Sequence, residues 1–103
     1  MEDIKCLMRH IKDEVKDAKC YIKDALAVKA TNAETADLYY RLSGEELTHM
    51  NALHKDVVRL MEDYRREKGD VPEGMMVLYQ YLHGEAMEEV ERVSVLREMY
   101  KKM

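Results

Sequence analysis
Glu46 and His49 stand three residues apart in the run Ser43-Gly-Glu-Glu-Leu-Thr-His49-Met. On a helix that spacing projects both side chains from one face. A carboxylate oxygen and a neutral imidazole nitrogen together suit a divalent first-row metal. The pattern around them is apolar. Positions 39, 42, 46, 49, 53 and 60 read Tyr, Leu, Glu, His, Leu, Leu, so the pair breaks a hydrophobic line. A second line, 4, 7, 11, 14, 18, 21 and 25, reads Ile, Leu, Ile, Glu, Ala, Tyr, Ala, and Glu14 interrupts it in the same way. Burying such groups without partners costs several kcal/mol each. A dication removes that cost by turning carboxylate repulsion into ligation. The rival reading is a buried polar network that fixes how the helices pair.

Other side chains are candidates for supporting or extra-ligand roles. Tyr21 follows Glu14 by two turns, and Tyr39 precedes Glu46 by two; either hydroxyl could hydrogen-bond a ligand carboxylate or belong to the core. His10 lies one turn before Glu14. Glu45 points about 100° away from Glu46 around the helix. Glu85, Glu89 and His83 would reach the site only if a third helix packs over it. His54 points away from His49 and is expected in solvent. Cys6 and Cys20, fourteen residues apart on one helix, are separated by about 21 Å and cannot form a disulfide with each other. With no CxxC motif, a zinc ribbon or rubredoxin-type site is excluded. The nine Met are expected to fill the core.

The elements that must hold these residues are helices. One Pro, four Gly and no Trp or Phe stand among abundant Glu, Lys, Met, Leu and Ala. The 103 residues form one domain, 1–103, with helices over about 2–29, 32–68 and 73–102. Thr31 to Glu34 reads as a capping box, with Thr31 at N-cap. Gly69 after Arg65, Arg66 and Lys68 closes the second helix. Asp70-Val71-Pro72-Glu73 opens the third, with Asp70 as an acidic cap. The short connection near residue 30 makes the first two helices an antiparallel hairpin. Glu14 lies about 16 residues before that turn, Glu46 and His49 about 15 and 18 after it, so closing the hairpin sets all three about 25 Å from the turn. Nothing in the helical pattern demands that coincidence.

A di-iron carboxylate bundle takes a Glu from each of two helices and a Glu-x-x-His from each of two others. One hairpin supplies half of that set, and two related by a two-fold axis supply all of it. The segments Glu14-Val-Lys-Asp-Ala-Lys-Cys-Tyr21 and Ser43 to Met50 resemble the first half of a rubrerythrin or ferritin-like protein over roughly residues 7–55. That superfamily shows Glu-x6-Tyr on its first helix and Glu-Glu-x-x-His on its second. The chain lacks the second Glu and second Glu-x-x-His, as do small ferritin-like proteins, encapsulated ferritins among them, that build the site across a dimer. The resemblance implies an all-α, ferritin-like hairpin plus a third helix, with the four-helix bundle completed in a homodimer or higher homo-oligomer. It implies Glu14, Glu46 and His49 as ligands, with Glu46 bridging. The implied cofactor is di-iron, with Mn or Zn as alternatives, and the implied activity is that of an iron oxidase or a peroxide- or dioxygen-reducing enzyme served by an external electron donor. The alternative is a non-catalytic helical dimer acting as an interaction or assembly module, its metal site structural or vestigial.

Net charge is −4, and cations are interspersed with acids. No Lys/Arg run points to nucleic acid. The first twenty residues lack an apolar signal-peptide core, and no apolar run could span a membrane, so a cytoplasmic location is expected.

Overall fold
The computed structural model describes all 103 residues, Met1–Met103. Three helices run α1 (Glu2–Val28), α2 (Ala33–Lys68) and α3 (Glu73–Lys101), with no strand. α1 and α2 form the expected antiparallel hairpin, and α3 returns along both, giving a rod of 56 × 18 × 18 Å.

Two of the three terminal signals are used differently from expectation. Asn32, not Thr31, caps α2: its Oδ1 accepts the Thr35 N–H at 3.1 Å. The Thr31 hydroxyl instead donates to the Val28 carbonyl at 3.4 Å and helps close α1. An Asn side chain caps as well as a Thr, so moving the cap by one residue leaves Glu34 in the first turn, where its charge still favours the helix dipole. At α3 the N-cap is Pro72 with no side-chain cap, and Asp70 stays outside. Here burial decides the entry. Val71 and Met76 pack into one core cluster on either side of the first turn, as a hydrophobic staple. Gly69 does end α2. Its φ is +91°, which a side chain would strain, and its N–H reaches the Arg65 carbonyl at 3.1 Å.

The core has two parts. Near the α2–α3 connection, Ile4, Met8, Ile11 and Val15 of α1 meet Met50, Val57 and Met61 of α2 and Met75 of α3. Near the hairpin turn, Ala18, Ile22 and Ala25 meet Ala36, Val93 and Tyr100. The alanines let backbones approach closely. Ile22, fully buried, contributes about 1.5–3 kcal/mol by its transfer from water.

The presence of α3 moves the buried centre of α1. Ile4, Ile11, Ala18 and Ala25 are buried as the two-helix line requires, but so are Met8, Val15 and Ile22, one residue along from that line. The positions left half-open are Leu7, Glu14 and Tyr21. Glu14 therefore sits on the flank of the hairpin that α3 leaves open, not on its axis.

α3 is fastened by polar clasps. The Tyr100 hydroxyl donates to Asp37, while Lys29 Nζ donates to Tyr100 Oη at 3.3 Å and lies 3.5 Å from Asp37. The hydrogen bond from Tyr100 holds the Asp37 carboxyl below its usual range. Arg97 donates to the Tyr40 carbonyl at 2.6 Å and to Ser43 Oγ, with its guanidinium 4.0 Å from the centre of the Tyr40 ring. Gly44 makes room for it, since a Cβ there would lie 3.0 Å from the Arg97 guanidinium. No helix is long and apolar enough to cross a membrane.

Candidate metal centre
Glu14 comes from the middle of α1, and Glu46 and His49 come from successive turns of α2. The hairpin brings one ligand atom from each to within 4.8 Å of the others. His49 Nδ1 is 3.5 Å from Glu14 Oε2 and 3.8 Å from Glu46 Oε2. Both are ion-pair separations, too long for a sound hydrogen bond. Glu14 Oε2 is buried and has no hydrogen-bond partner. A desolvated carboxylate oxygen without a donor is costly. A dication held by the three groups would relieve that cost, and hard oxygens with one imidazole nitrogen match iron, manganese or zinc.

The three side chains are graded in exposure. Glu46 is 17% exposed, Glu14 27% and His49 57%. The expectation of two successive core positions on α2 is thus corrected at His49, which opens to solvent. The physical reason is the same displacement of the core toward α3 that leaves Glu14 on a flank. Around the site that flank is apolar and half-buried: Leu42 on the side nearer the hairpin turn, Leu7, Leu53 and Leu60 on the other. Tyr21 and Tyr39 stack at 6.2 Å between ring centroids, one heptad from Glu14 and Glu46 respectively.

The remaining candidates are dispersed. His10 and Glu45 are exposed. Glu89 pairs with Lys19 at 2.9 Å, and this pairing, with Arg92 adding to it, holds its carboxyl below the usual range. Glu85 lies on the wall of a groove of about 720 Å³ between α1 and α3. α3 therefore packs on the α1 edge that carries Lys12, Lys16 and Lys19, and brings no acid to Glu14. Cys6 and Cys20 are both free thiols.

His54 is not in solvent. It is half-buried in the α2–α3 seam, its Nε2 3.1 Å from Tyr79 Oη and its ring stacked on His83 at 4.8 Å. Burial first, and then the neighbouring His83, push its pKa below the ordinary histidine value, while burial raises that of Tyr79. The sequence carries the signal for this placement: His54 is one turn from both Met50 and Val57, on the face α3 covers. No known family, curated protein or solved structure matches the chain.

Proposed function
We propose that the chain is a ferritin-like di-metal carboxylate protein, with iron the preferred metal, whose complete site forms when two hairpins pair about a two-fold axis. The observation that carries this reading is Glu14 Oε2, buried and unpartnered beside a second carboxylate and an imidazole. One chain offers two carboxylates and one imidazole. Two copies offer four and two, the full complement of a carboxylate-bridged pair. The open flank supports the pairing: half-buried Leu, Tyr and Val side chains run along it, and His49 faces outward from it, where a second hairpin would cover them.

A pair of ferrous ions held there would supply two electrons, enough to reduce one dioxygen to peroxide or one peroxide to two waters. The chain's own residues have the other tasks. Glu14 and Glu46 would hold the cations and neutralise their charge. His49 binds as the neutral imidazole. The surrounding leucines keep bulk water from the carboxylates, so electrostatic attraction within the site is strong. The chain holds no CxxC pair, so repeated turnover would draw electrons from an outside donor.

Incubation of the purified chain with ferrous iron in air tests this. Oxidation well above the buffer rate, about one iron bound per chain, and loss of both in Glu46→Ala are expected. Oxidation equal to buffer, or unchanged in Glu46→Ala, refutes it. The 3.5 Å approach of His49 Nδ1 to Glu14 Oε2 favours a second reading, a metal-free polar clasp in a non-catalytic assembly module. Iron-supplemented expression yielding protein without metal would select that reading.

A further inference from the structure
The two halves of α3 are held to the hairpin by different means. From Glu89 onward, polar clasps add to the packing. Glu89 pairs with Lys19 at 2.9 Å, Arg97 donates to the Tyr40 carbonyl and to Ser43, and Tyr100 joins Asp37 and Lys29. Before Glu89 the packing is apolar, through Met75, Met76, Tyr79 and Leu82. Two polar links reach the hairpin from this half. One is a 4.0 Å approach of Arg65 Nη2 to the Met76 sulfur. The other is the Tyr79 hydroxyl, 3.1 Å from His54 Nε2, beside the His83 ring stacked on His54. The half without clasps is thus the half that carries the imidazole pair.

That pair tolerates no charge without loss. The rings of His54 on α2 and His83 on α3 lie 4.8 Å apart between centroids and 24° from parallel, both half-buried. Burial and His83 are what push the His54 pKa down, and no titratable group of α1 acts on it. On α2 the neighbouring Asp56 is bound by Arg59 at 2.8 Å, and Lys55 is exposed. On α3 Glu85 is exposed, and the remaining titratable neighbour is Tyr79. The Tyr79 hydroxyl can donate to the neutral ring or accept from the protonated one, so it does not oppose protonation. A proton on one ring puts a cation in the seam with no acid to meet it, and a second puts like charges face to face. Both costs vanish once the helices part.

We propose that His54 and His83 form a proton-sensitive latch that releases the first half of α3, residues 73–83, from α2 in mild acid, with Gly84 as the hinge. Gly84 directly follows His83, and a Cβ on it would meet nothing within 4 Å, so packing does not account for a glycine there. Glycine is a weak helix former, which makes this the point where α3 breaks most readily. Release bares Met50, Val57 and Met61 of α2 and leaves the clasped half in place. The sign follows from linkage: the released half has the ordinary histidine value and the docked one a lower value, so protons favour release as pH falls below 6.5. Neither histidine belongs to the Glu14, Glu46 and His49 cluster, and the latch does not rest on the metal reading.

Backbone hydrogen exchange of the full chain at pH 7.5 and 5.5, corrected for the intrinsic rates, tests the latch. Amides of residues 75–83 should lose about threefold in protection at the lower pH, while those of 92–100 change by less. His54→Phe/His83→Phe keeps two stacked rings that cannot titrate, and it should abolish the difference between the two pH values. His83→Gln alone, which keeps a polar group in the seam, should reduce it by about half. Equal losses in both halves of α3 would mean global unfolding and overturn the proposal. So would unchanged protection of 75–83, or a pH effect undiminished in the double Phe variant, since His10 and His49 would then carry it.

Discussion
His49 and His54 lie five residues apart on α2, and their surroundings differ in kind. His49 faces two carboxylates, Glu14 and Glu46, on the open flank of the hairpin. His54 faces another imidazole and a tyrosine in the seam with α3, with no carboxylate in ion-pairing distance of either ring. The first cluster gathers negative charge around one base and leaves a carboxylate oxygen unsatisfied. The second gathers two bases and no acid, and burial, with His83 beside it, disfavours a proton on His54. An imidazole among acids is a donor set that could hold a cation. An imidazole beside an imidazole under a packed helix is a half-buried part of the seam, with its proton disfavoured at His54. Residue type alone does not tell the two apart; the neighbour contributed by the next helix does.

The largest effect that separates the clusters is expected from Glu14→Leu. In the parent chain, metal at about a hundred times its Kd should add about 2.7 kcal/mol to stability. The variant should lose that increment in thermal melts with and without ferrous or manganous ion. Its metal-free form should gain about 1–3 kcal/mol, because the buried oxygen without a donor is gone. A metal-free form that is destabilised instead would show Glu14 satisfied by His49 alone.

The next effect concerns pH and belongs to the second cluster. The folded-state pKa of His54 lies below 6.5, its ordinary value. Between 6.5 and that lower value the unfolded chain binds the proton and the folded chain does not, so stability falls as pH falls through this window. The rings are half-exposed and partly screened, which keeps the loss below about 1 kcal/mol. Urea midpoints at pH 7.5 and 5.5 should show this dependence in the parent chain and a smaller one in His54→Phe. The smallest effect is expected from Tyr79→Phe, which removes the hydroxyl at 3.1 Å from His54 Nε2. It should cost about 0.5 kcal/mol at neutral pH and leave the metal response unchanged.

Helix number, the hairpin and the common level of Glu14, Glu46 and His49 were legible because they follow from period, punctuation and chain length. Gly69 behind three basic residues ended α2 as its chemistry demands. The finer errors share one physical source. Two lines of apolar residues suffice to pair two helices, but a third helix redefines which residues lie between them. Met8, Val15 and Ile22 became core through α3, and that shift placed Glu14 and His49 on a flank. The same missing helix hid the environment of His54, whose partners Tyr79 and His83 arrive from residues 25 and 29 positions later in the chain. The Asn32 cap is a local matter. Thr31 and Asn32 are both competent caps, and only the backbone path out of α1 chooses between them.

The rod is about three times as long as it is wide, and this has a hydrodynamic consequence. Such a shape drags more than a sphere of equal mass, so a sieving column calibrated with round standards would report a monomer as something heavier. The pairing of hairpins proposed above runs side by side along the long axis. It would thicken the particle without lengthening it, and friction per unit mass would fall as copies are added. Sedimentation velocity should therefore show a frictional ratio that declines with concentration, whereas end-to-end joining would drive it upward.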